Sequence, residues 1–207
     1  VIGARIDRLP PDSKRLLQIA SVIGKDFELA LLRSVAEADD AGVQNQLAII
    51  QDGEFVYETH LFPNLEYTFK HALTHQVAYE GLLKQHRREK HAKILTAMER
   101  IFADRLQERF ERMVYHGLRG ECWELVHRYG MAAGHRALKM NASRSAVEAF
   151  ENAAKAWRHL PQTPENIRDA IDCRFEIRDA LHVLGEPETM TVLMEEARRL
   201  VAKLDDQ

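Results

Sequence analysis

The sequence predicts a mainly α chain in which a module of three helices closed by a β-hairpin precedes a run of antiparallel helix pairs. Three observations carry that reading. Apolar residues recur at helical spacing over nearly the whole chain. The one stretch rich in aromatic and β-branched residues is short and interrupted by a turn. Gly120, Asn141, Pro161 to Pro164 and Gly185 to Pro187 fall between the periodic segments of the second half.

From Pro11 to Gly24 the apolar positions Leu16, Leu17, Ile19, Ala20, Val22 and Ile23 keep a helical period, with Pro11 suited to the first turn and Gly24 to the stop. A second helix is expected from Phe27 to Ala36. A third is expected from about Asp39, where two aspartates favour a helix start, through Leu47, Ile49 and Ile50 to Gly53. Phe55 to Thr59 and Tyr67 to Phe69 then read as two strands around a Leu-Phe-Pro-Asn-Leu turn that contains Pro63. Three helices followed by a two-stranded wing is the order of a winged helix, over residues 1–70.

Helical pattern resumes near His71 and runs to about Leu106 as one long connecting helix, 71–107. Its apolar stripe is Ile94, Leu95, Met98, Ile101 and Phe102, and Gly81 marks a bend. Residues 108–207 read as helices alone: Glu108 to Leu118, Glu121 to Met140, Ser143 to Leu160, Glu165 to Leu184 and Glu188 to Leu204. Short connections make neighbours antiparallel. Ala137-Leu138 recurs as Ala180-Leu181, and Gly134, Ala146, Phe150 and Ala153 fall at the tetratricopeptide spacing, where small residues let paired helices approach and an aromatic fills the gap. The later copy lacks the small residues and the aromatic. Such arrays need about three repeats for a continuous core, which predicts that the native chain continues beyond Gln207.

Hydrophobic residues at 45% and charged residues at 29% describe a folded, water-soluble chain. A net charge of −3 supplies no general field for nucleic acid or an anionic membrane. No apolar run approaches the roughly 20 residues of a membrane span, and the first residues lack a secretion signal. Cys122 and Cys173 show no metal or redox spacing, so free thiols in the cytoplasm are expected. The start without Met, near Asp-Arg-Leu-Pro-Pro, reads as a domain boundary in a longer polypeptide.

No phosphate-binding Gly-x-x-x-x-Gly-Lys-Ser/Thr loop is present, since Gly24-Lys25 lacks both the earlier glycine and the following hydroxyl. Neither Gly-x-Ser-x-Gly, His-Glu-x-x-His nor paired Cys-x-x-Cys occurs, so no catalytic residue and no metal site is assigned and the chain is not read as an enzyme. His71 and His75 lie four apart, as one face of a helix would place them, and His86 and His91 lie less well spaced; no third ligand is implied, and surface or boundary histidines are the simpler reading. Lys84, Arg87, Arg88, Lys90 and Lys93 form a basic run that spreads around more than one helix face, as a solvated surface does. From Ser34 through Phe69 there is no lysine or arginine, while Glu37, Asp39, Asp40, Asp52, Glu54, Glu58 and Glu66 are present. A winged helix that read DNA through its third helix would need cations there, so nucleic acid is disfavoured as a partner.

The stretches IDRLPPDSKRLLQIASVIGKDF from Ile6, FVYET from Phe55 and YTFKHALTHQVAYEGLL from Tyr67 resemble the region just after the ATPase core of bacterial STAND-class signalling ATPases. Those are large proteins that often carry an adenylate/guanylate cyclase domain upstream and tetratricopeptide repeats downstream. The resemblance is specific over about Ile6 to Leu118 and looser beyond. It implies a non-catalytic regulatory segment whose winged helix packs on a nucleotide-binding domain of the same polypeptide and holds it closed around ADP until exchange for ATP, with Mg, releases it. Phe69-Lys-His-Ala-Leu resembles the family's methionine-histidine-aspartate motif, in which His71 would reach the β-phosphate of ADP. Lys70 and Ala72 replace the flanking residues, so the aspartate's role is not carried over. The helical repeats would receive the signal by binding a protein or a small molecule. The competing readings are a winged-helix DNA-binding regulator and a stand-alone enzyme built from scattered histidines and carboxylates.

Overall fold

The computed structural model describes residues 2–60 and 64–205. The chain is mainly helical, with one small three-stranded antiparallel sheet, and it divides into two compact units, Val1–Ala103 and Asp104–Gln207.

In the first unit, α1 (Ile2–Asp7) precedes α2 (Pro11–Ile23), the helix around which the unit is built. Leu16, Leu17, Ile19, Ala20, Val22 and Ile23 of α2 are all buried, and α2 packs on α3 (Leu29–Val35), α4 (Asp40–Asp52), α5 (Ala72–Glu80) and α6 (Lys84–Ile101). A helix enclosed on that many sides needs apolar residues on more than one stripe, which is why its period looks dense. Asp39 caps α4, its carboxylate accepting the Gly42 N–H at 2.8 Å.

The second helix does not begin at Phe27 as expected. Asp26–Glu28 form β1, and Asp26, Phe27 and Glu28 pair with Thr68, Tyr67 and Glu66 of β3 (Glu66–Phe69). Phe27 stacks on Tyr67 at 5.8 Å and meets Phe69 edge-on at 5.9 Å. The expected hairpin is therefore two strands of a three-stranded sheet, ordered β1-β3-β2 with β2 at Val56–His60. So short a strand carries too little local pattern to compete with the neighbouring helix; its partner, beyond two intervening helices, decides. The turn expected around Pro63 lies at residues 61–63, outside the described ones.

The single helix expected over 71–107 is two helices. α5 ends at Glu80, Gly81 and the buried Leu82 turn the chain, and Leu83 takes an extended conformation (φ −61°, ψ 147°) before α6 begins at Lys84. The two halves serve different surfaces: α5 lies on α1 and α2, and α6 on α3 and α2. Neither half is a connector, since both belong to the first unit. α6 ends at Ile101, and Phe102, fully buried, is followed by a 3-10 turn at Leu106–Arg109.

In the second unit α7 (Phe110–Gly120), α8 (Trp123–Lys139), α9 (Ser143–Trp157), α10 (Pro164–Leu184) and α11 (Pro187–Asp205) each pack on the next across connections of a few residues, which turns neighbours antiparallel. Thr163 caps α10 through the Asn166 N–H, and Gly185 takes the left-handed conformation (φ 71°) that ends it. Gly134, Ala146, Phe150 and Ala153 come together at the α8–α9 interface. A Cβ on Gly134 would lie 2.3 Å from the Phe150 ring, so the ring occupies the space that the glycine leaves. No helix among the described residues is long and apolar enough to cross a membrane.

Candidate functional site

His71 stands where β3 hands over to α5. The Lys70 N–H donates to the Phe55 carbonyl at 2.9 Å, which closes the sheet, and His71 then sits at the N-cap of α5 in an extended conformation (φ −135°, ψ 136°). Its carbonyl accepts the Thr74 and His75 N–H groups at 3.0 and 3.3 Å. Its imidazole makes no capping hydrogen bond and is exposed. The backbone is thus tied down while the ring is left to solvent, at a helix N-terminus where the unsatisfied amides favour an anion.

Lys70, Arg5 and His71 all act on Glu54 at this junction. Lys70 Nζ lies 2.8 Å from Glu54, and Arg5 donates to the Gly53 carbonyl at 2.7 Å with its guanidinium 5.1 Å above the Phe55 ring. The Lys70 hydrogen bond and charge hold the Glu54 carboxyl below its ordinary range, with smaller help from Arg5 and His71. Glu54 is thus the carboxylate set against both Lys70 and Arg5 at the junction.

The other histidines are separated from His71. His75 donates from Nε2 to the Ser21 carbonyl at 2.9 Å, satisfying a carbonyl in the last turn of α2, and its ring lies between Phe69 and Tyr79. His91 is fully buried with Nε2 3.0 Å from the Tyr79 hydroxyl, whereas His86 is exposed. So the His71/His75 spacing places one ring in solvent and the other half-buried against α2, and no group of three or more His, Cys, Asp or Glu able to hold a metal exists among the described residues. The aromatic chain from Phe27 through Phe69, His75 and Tyr79 to His91 fixes β3 to α5 and α6 beneath the junction.

The basic run on α6 divides. Arg87 lies over the Tyr79 ring at 5.0 Å, while His86, Lys90 and Lys93 face a separate cavity toward α2. In the second unit a groove of about 620 Å³ opens between α8 and α10. His127, Met131 and His135 line one wall, and Asp172, Phe175 and Glu176 the other. His135 Nε2 meets Glu176 at 2.9 Å, and Phe175 is left 38% exposed. Sequence reading missed this groove, although Asp169, Asp172, Glu176 and Asp179 recur at spacings of three and four along α10 and so share one helix face.

Comparisons with known protein families, with curated proteins and with solved structures found no match for this chain.

Proposed function

We propose that this chain is the regulatory and interaction segment of a larger nucleotide-dependent signalling ATPase of the bacterial STAND class, acting in the cytoplasm. In this reading the first unit is a winged helix, with β1 as a short third strand on the wing. The second unit is a set of tetratricopeptide-like helix pairs, a reading supported by the fit of Phe150 against Gly134.

The observation that carries the proposal is the presentation of His71. A bare imidazole on a rigidly hydrogen-bonded strand-to-helix junction, flanked by Arg5 and Lys70, suits a group that must meet a phosphate held by another domain. The partner is the nucleotide-binding domain of the same polypeptide, loaded with ADP or with ATP and Mg. The chain supplies no catalytic residue in this reading; it reports nucleotide state to the helix pairs, whose α8–α10 groove receives the signal ligand, a protein or a small molecule.

One hydrogen bond to a charged group contributes about 1.5 to 3 kcal/mol, enough to shift a two-state equilibrium roughly ten-fold to a hundred-fold. In the full-length polypeptide, His71→Ala is expected to speed ADP release by about that factor and to raise the active population. ADP release at the wild-type rate would refute the sensor role. A steep fall of DNA affinity with salt, measured on this chain, would instead favour the DNA-binding reading.

A further inference from the structure

The cavity between α2 and α6 lies apart from the His71 junction and has its own chemistry. It measures about 370 Å³. That is near the lower end of small-molecule sites. His86, Lys90 and Lys93 sit at i, i+4 and i+7 on α6 and so share one face, and Arg15 approaches from α2. Leu82, almost fully buried, contributes an apolar surface.

Glu37, in the connection between α3 and α4, stands between two of these cations. Lys90 Nζ is 3.6 Å from one of its oxygens and Arg15 Nη1 is 3.8 Å from the other. Both separations are within Coulomb range and both exceed a hydrogen bond, so the carboxylate bridges the cations without bonding either. The side chain of Lys90 is only 16% exposed, its stem laid along the cavity wall. Glu37, at 47%, is free to swing out. Asp12, one turn before Arg15 on α2, also lies 3.7 Å from its guanidinium. Glu89 lines the cavity and accepts from Gln85 at 3.1 Å.

We propose that this cavity binds a phosphate group, and that Glu37 is an internal occupant which the phosphate displaces. With Glu37 out, the three cations Arg15, Lys90 and Lys93 outnumber the carboxylates Glu89 and Asp12 by one, so the cavity keeps a net positive charge for a phosphate anion. Phosphate offers three acceptor oxygens where a carboxylate offers two, and it accepts both an arginine fork and lysine point charges. A planar carboxylate on a short tether reaches both cations only loosely; a tetrahedral anion between them closes both distances.

The test is isothermal titration calorimetry of inorganic pyrophosphate into the full 207-residue chain, with sulfate at matched ionic strength as the comparison. Pyrophosphate is expected to bind at one site per chain. Lys90→Gln and the more exposed Arg15→Gln should each weaken it about ten-fold, the loss of a charge-assisted contact. Glu37→Gln removes the competitor and should tighten binding several-fold, a gain that loss of fold cannot produce. Affinity unchanged or weakened by Glu37→Gln overturns the proposal and leaves Glu37 a tether between helices. Equal, multi-site binding of sulfate and pyrophosphate that no variant alters also overturns it, as diffuse ionic attraction. ADP supplied in place of pyrophosphate separates the sources of the phosphate: tighter binding assigns an organic phosphate, equal binding the inorganic group. His71→Ala leaves every arm unchanged, so failure here and failure of the nucleotide-sensor reading are distinguishable.

Discussion

Replacing Gly134 by alanine tests the packing on which the second unit rests. The added Cβ would sit 2.3 to 2.5 Å from three atoms of the Phe150 ring. Carbon atoms normally approach only to about 3.5 to 4.0 Å. The ring cannot retreat: Phe150 is fully buried, its carbonyl accepts the Cys173 thiol at 3.3 Å, and His135 meets its edge at 5.3 Å. Overpacking of this kind costs about 1 to 3 kcal/mol, and so deep an overlap against a boxed-in ring belongs at the top of that range. Alanine recovers about 1 kcal/mol of helix propensity over glycine. The net expectation is a loss of about 2 kcal/mol. Both tryptophans of the chain, Trp123 and Trp157, lie in the second unit, so tryptophan fluorescence during urea unfolding reports this unit selectively. With a slope of about 1 to 3 kcal/mol per molar, the midpoint should fall by about 1 M. Adding Phe150→Leu opens the space again, so the double variant should be at least about 1 kcal/mol more stable than the sum of the single effects. An unchanged or raised midpoint for Gly134→Ala, or strict additivity, would refute the close approach of α8 and α9.

Other consequences follow from buried and capping groups. Burial pushes the Cys173 thiol up from 9.0 to about 12, so it should resist alkylation at pH 8 in the native chain while the half-buried Cys122 reacts, as mass spectrometry of the labelled protein can read. Because the folded value is the higher one, the contribution of that thiol to stability is intact below pH 9 and is lost as pH rises toward 12; Cys173→Ala should flatten that alkaline decline. Arg174 is buried, donates to Glu196 at 3.1 Å and to the Ala170 carbonyl at 2.8 Å, and lies over the Trp157 ring. Glu196→Ala strands that charge and should cost about 3 kcal/mol, and Arg174→Met in the same chain should recover most of it in denaturant midpoints. Asp39→Ala removes the cap of α4 and should lower the stability of the first unit by about 1 kcal/mol, read by circular dichroism.

The helices of the second unit and α2 and α4 of the first were determined by sequence alone, because a 3.6-residue period and its Pro, Gly and Asp boundaries are local signals. So was the junction at His71, where a β-branched and aromatic run meets a helical one. Tertiary structure alone decided where pairing or burial crosses the chain. Phe27 joins the sheet only because Tyr67 lies opposite it, and residues 71–107 break into two helices only because Gly81 and Leu82 must turn between the surfaces that α5 and α6 cover. His71 and His75 are equivalent by spacing, yet one faces water and the other caps a carbonyl of α2. Lys90 and Lys93 read as a solvated run until Arg15 and Glu37, from other elements, close around them. Periodicity reports which face of a helix is apolar; which groups meet across that face depends on partners distant in the chain, and a local pattern carries no record of them.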